Sequence, residues 1–103
     1  DYTLAGDGVH PGPTGHWIMC REFLRLWGAA PALLDSDSPD ALLTLHPKGR
    51  EIAELVTRRQ NLLRDSWLTK VGHKRPGMAQ GRPPEAIAAE VDSLLDRIRS
   101  HVG

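Results

Sequence analysis

Two residues of the types used in acid–base chemistry stand three positions apart near the start of the chain, Asp7 and His10, with Gly8 between them and Pro11 directly after. Gly8 permits a tight turn, so the carboxylate can fold back and accept a hydrogen bond from the imidazole Nδ1–H. With Nδ1 held as a donor, Nε2 is left as a base able to take a proton from a nucleophilic hydroxyl, and the carboxylate stabilises the imidazolium formed. Pro11 biases His10 toward an extended backbone, which puts the imidazole on a loop ahead of a helix rather than within it. Taken alone, an Asp-x-x-His pair is weakly specific, because such pairs more often cap a turn than catalyse.

The longer run is more specific. Asp7-Gly8-Val9-His10-Pro11 leads through Gly12-Pro13-Thr14-Gly15-His16 into an apolar helix, and the whole block resembles the last conserved block of SGNH (GDSL-type) ester hydrolases. The resemblance covers residues 6–27. It implies that Asp7 and His10 are the Asp and His of a catalytic triad, His10 as acid and base and Asp7 as its orienting partner. It also matches Gly15 to a close-packed helix start and His16 to a position that packs or hydrogen-bonds.

The family's other blocks carry a nucleophilic Ser in a Gly-Asp-Ser context and oxyanion donors from that Ser, a Gly and an Asn. None is matched here: Ser36, Ser38, Ser66, Ser93 and Ser100 lack that context, and Asn61 falls inside a predicted helix. The resemblance therefore implies the C-terminal piece of an α/β, three-layer flavodoxin-like hydrolase, with Ser and oxyanion hole in upstream sequence. The 103-residue chain is expected to be inactive alone, and the substrate to be a small-molecule or carbohydrate ester, with no cofactor. A weaker similarity to the tail of some bacterial members runs through Leu62-Leu63-Arg64-Asp65-Ser66-Trp67 and Val71-Gly72-His73-Lys74-Arg75-Pro76-Gly77-Met78. It names no chemistry.

The elements that would position this loop read as mainly α, about three helices plus loops. Gly12 followed by Pro13, with Gly28 beyond, frames a helix over residues 13–27. Trp17, Cys20, Phe23, Leu24 and Trp27, with Met19 and Leu26, fill one wide side of it, opposite Arg21, Glu22 and Arg25. Such a side needs a large partner and is sticky without one. Residues 29–46, with Asp35, Ser36, Asp37, Ser38, Pro39 and Asp40 between two Leu pairs, read as a surface connector. A second helix runs from Pro47 to a stop at Gly72 on Ile52, Leu55, Val56, Leu62, Leu63 and Trp67. Breakers at Pro76, Gly77, Gly81, Pro83 and Pro84 predict an extended loop, after which Ile87, Val91, Leu94, Leu95, Ile98 and Val102 give the cleanest amphipathic stripe. The segments expected are thus residues 1–28, the end of a hydrolase domain; 29–46, a linker; and 47–103, a helical extension.

The remaining features exclude more than they assign. Lys and Arg balance Asp and Glu at 13 each, but residues 48–82 carry nine Lys and Arg against Glu51, Glu54 and Asp65. A basic centre of this kind either docks on an acidic surface of the same protein or meets an acidic partner or nucleic acid. The first is favoured, with a small helical binding module as the alternative function and no nucleic acid expected. His73, Lys74 and Arg75 read as a solvated loop, and Trp17, Trp27 and Trp67 as core. Cys20, the single cysteine, reads as a small buried hydrophobe and excludes an internal disulfide. The five His are dispersed without a shared helix face, so no metal site is expected. No run approaches about 18 apolar residues, so no membrane span is expected; no leader-like run opens the chain, and the compartment stays open.

Overall fold

The structure, a computed structural model, describes residues 5–103. It is mainly α, with five helices and no strand among the described residues: α1 (Pro13–Leu26), α2 (Pro31–Leu34), α3 (Asp40–Leu43), α4 (Gly49–Lys70) and α5 (Pro84–Val102). Three are long, as the periodicity predicts, and two are single turns inside residues 29–46. The chain forms two compact units, divided between Pro47 and Lys48. The first four residues of the expected 1–28 segment lie outside the described residues.

In the first unit, α1 begins after an extended Gly12 with Pro13 in its first turn, where the missing N–H costs nothing. It ends in a Schellman arrangement, with Gly28 at φ +84°. The Gly28 amide donates to the Arg25 carbonyl and the Ala29 amide to that of Leu24, each at 3.0 Å. Residues 29–46 do not simply run over the surface. Leu34, at the end of α2, is 1% exposed, and Trp17 of α1 is 4% exposed. The Trp17 indole donates to the Ser36 carbonyl at 2.8 Å, and the Arg21 guanidinium reaches the carbonyls of Leu34 and Ser36 at 3.3 and 3.1 Å. A buried indole N–H needs an acceptor, and the turn after α2 supplies it.

Two expectations for α1 are corrected. Cys20 is exposed, not buried. The wide apolar side buries only Trp17 fully: Met19, Phe23, Leu26 and Trp27 are exposed, Trp27 to 76%. Phe23 and Trp27 lie side by side, with ring centroids 6.3 Å apart. The physical reason is supply. A one-turn helix covers about one aromatic side chain, whereas the whole stripe would need a sheet or a long helix across it.

The second unit is an antiparallel hairpin of α4 and α5, matched end to end by Glu51 against His101 and Arg58 against Glu90. Its core is Leu55 of α4 against Ile87, Val91 and Leu94 of α5, each worth about 1.5–3 kcal/mol for complete burial. Trp67, expected to pack as core, is instead 49% exposed, and its ring carries the Lys70 ammonium 4.9 Å from the centroid. α4 closes with a second Schellman pair, Gly72 to Thr69 and His73 to Leu68, both 3.0 Å. The breaker-rich stretch that follows has no helix or strand, as its composition predicts, but it is tied down. The Gly81 amide donates to Thr69 Oγ1 at 2.9 Å, and a Cβ on Gly81 would collide with the Asp65 carbonyl and the Ser66 amide nitrogen. Only glycine lets this strap lie so close on the helix backbone. No helix among the described residues is long and apolar enough to cross a membrane.

Candidate active site

The loop before α1 is built from its own short-range bonds. The Gly8 amide donates to the Ala5 carbonyl at 3.0 Å, closing a turn in which Gly8 takes φ +78°. Asp7 Oδ1 then accepts the amides of Val9 at 2.9 Å and His10 at 2.7 Å, an Asx-turn extended by one residue. The same carboxylate uses Oδ2 to meet His10 Nδ1 at 2.8 Å. The fold-back that Gly8 was expected to permit is therefore present, and it brings together both residues of the sequence-derived pair.

Its electrostatics follow from those bonds. The His10 amide, the His10 side chain and the Val9 amide, in that order, hold the Asp7 carboxyl down at about 2, against an ordinary 3.8. An ionised carboxylate only accepts, so Nδ1 must carry the proton between them, and the lone pair of a neutral ring sits on Nε2. The His10 side chain is 83% exposed, so Nε2 is open to a reacting group. That exposure also means that no described residue of the first unit shields the pair from solvent.

Among the described residues no hydroxyl is hydrogen-bonded to Nε2. Ser36 and Ser38 are engaged in their own turn, where Ser36 Oγ accepts the Ser38 amide at 3.2 Å and Ser38 Oγ donates to Asp40 at 3.3 Å. Ser66 is buried, and Ser93 and Ser100 lie on the exposed side of α5. Gly15 is buried, in keeping with a close-packed helix start, but His16 is exposed and contributes only its backbone, donating to the Gly12 carbonyl at 2.9 Å. No group of three or more His, Cys, Asp and Glu among the described residues could hold a metal ion.

Arg21 is the residue of this unit that sequence reasoning missed. Its place opposite the apolar side reads as solvent-facing, yet it is half-buried and anchors residues 34–36 to α1 through two carbonyls. A signal was available: the adjoining turn is rich in groups that leave backbone carbonyls unpaired. His73, Lys74 and Arg75 are exposed on their loop, whereas Arg58 and Arg82 both bind Glu90, at 2.8 and 2.6 Å. Part of the basic centre is thus neutralised by an acid of α5, and those two guanidinium groups hold the Glu90 carboxyl below the usual range. No family model matches the chain, and neither a curated protein nor a solved structure matches it.

Proposed function

We propose that Asp7 and His10 are the orienting acid and general base of an SGNH (GDSL-type) serine ester hydrolase, whose nucleophilic Ser and oxyanion donors lie in sequence beyond these residues. The observation that carries this reading is the 2.8 Å contact of Asp7 Oδ2 with His10 Nδ1 on a loop whose Nε2 side is open. In the reaction, Nε2 takes the proton of the attacking hydroxyl and returns it to the departing alcohol. Asp7 fixes the ring and offsets the positive charge that appears on it between the two steps. The parent domain in this reading is the α/β three-layer sandwich, with α1 packed on its sheet through Phe23, Leu26 and Trp27. The chain by itself has base and orienting acid but no nucleophile, and is inactive.

The direct test is turnover of a simple acetyl ester by the enzyme that contains this segment. His10→Ala should lower kcat by about 10⁶-fold, the scale of losing a triad base. Turnover that survives the substitution unchanged would sink the assignment.

One observation favours a second reading, a helical binding module: Lys74 and Arg75 are exposed and have no acidic partner among the described residues. Affinity for a nucleic-acid strand that falls steeply with salt would support it, and no binding at low salt would remove it. It leaves the Asp7-to-His16 run without a role, and ranks second for that reason.

A further inference from the structure

The second unit holds a groove of about 410 Å³ between the last turns of α4 and the strap that leads into α5, within the size range of small-molecule sites. At its base is Ser66, 1% exposed, whose Oγ has no hydrogen-bond partner. A serine in a helix has an easy alternative in solvent or in a carbonyl one turn back, so an orphaned buried hydroxyl beside a groove requires an explanation. Thr69 stands one turn further along. Its Oγ1 accepts the Gly81 amide, which leaves its own proton to be donated elsewhere. The opposite wall is the start of α5, where Pro83 and Pro84 form an apolar surface and no side chain caps the first turn.

Charge narrows the ligand. Of the two cations on the groove, Arg82 is given to Glu90 at 2.6 Å, while Lys70 has only the Trp67 ring beneath it. Glu85 lines the same groove, and its carboxylate opposes any ligand that brings more than one negative charge. One ammonium with no acidic partner among the described residues, two hydroxyls with unspent hydrogen bonds, an uncapped helix start and a proline wall describe a group with one negative charge and an apolar body.

We propose that this groove binds a small organic carboxylate, its oxygens toward Lys70, Thr69 and Ser66 and its hydrocarbon part against Pro83 and Pro84. This goes beyond the hydrolase reading and does not depend on it.

The test is a titration of the ¹⁵N-labelled chain with sodium propionate at constant ionic strength, followed by the same titration with inorganic phosphate. Propionate should shift the Gly81 and Glu85 amides saturably, and Lys70→Met, a change at an exposed side chain, should weaken binding roughly tenfold, the scale of one charge-assisted hydrogen bond. Ser66→Ala should also weaken binding, yet leave the free protein at least as resistant to heat as the parent, because it removes an unpaired buried hydroxyl. The proposal is overturned by any of three results: no saturable shift with propionate, phosphate binding as tightly as propionate, or a Ser66→Ala protein that melts below the parent.

Discussion

Two loops of this molecule each feed a helix that opens with proline and lacks a side-chain cap, the stretch before α1 and the strap before α5, yet they are held in opposite ways. The first is fixed by bonds spanning two or three residues, those of the Asp7 carboxylate and the Gly8-to-Ala5 backbone bond. The second is fixed by a bond spanning 12 residues and by the contact of Gly81 with the backbone of α4. A locally held loop keeps its geometry without a core beneath it, so it can present an exposed functional pair. A strap held at long range exists only as long as the helix under it does.

The sharpest way to break the comparison is Asp7→Asn in the ester hydrolase proposed to contain this segment. Asparagine still offers Oδ1 to the Val9 and His10 amides, so the turn survives, but its NH₂ group now faces Nδ1 and selects the wrong tautomer. We expect kcat to fall by about 10⁴-fold with little change in the amide spectrum of residues 5–12, by analogy with the same change in a known triad. If the loop resonances disperse instead, the carboxylate is a turn-former first and the comparison fails.

Stability should move in the second unit. Ile87→Ala removes a side chain that is 2% exposed in the α4–α5 core, and should cost about 2–5 kcal/mol in denaturant unfolding. It should release the strap together with the helices while leaving the Asp7–His10 contact intact. Gly81→Ala is the subtler version. The added methyl must push the strap off the Asp65 carbonyl, an overpacking change worth about 1–3 kcal/mol, read as faster hydrogen exchange of the Gly81 and Thr69 amides. A Gly81→Ala protein of unchanged stability would mean that the strap rests on α4 without being held by it.

This difference in range also sets what was legible in the sequence. The pair Asp7 and His10, the turn at Gly8, and the starts and stops of α1, α4 and α5 rest on nearest-neighbour chemistry, and the residue types announce them. The burial of Leu34 under α1, the anchoring role of Arg21 and the exposure of Cys20, Trp27 and Trp67 depend on which surfaces meet, which periodicity does not encode. A helical wheel shows that α1 has a wide apolar side; it does not show that, among the described residues of this unit, one short helix is what covers it. Gly81 stands between these cases, since a glycine in a breaker-rich stretch looks like any loop glycine until the helix it crosses is known.

The smallest effect is the most direct measure of local holding. A carboxyl lowered from 3.8 to about 2 by bonds its folded loop supplies is a linked equilibrium: the folded loop favours the ionised form, so that contribution to loop order is complete above the ordinary value. It is lost as the pH falls through the folded value near 2. The ¹³C shift of the Asp7 carboxyl, followed from about pH 5 downward, should stay at its ionised position past 3.8, and the Val9 and His10 amides should change together with it. Because the bonds responsible lie within residues 7–10, Ile87→Ala should leave this titration where it is. A midpoint at the ordinary value would show that the carboxylate is not gripped by its neighbours, and one that moved with Ile87→Ala would tie the loop to the hairpin core after all.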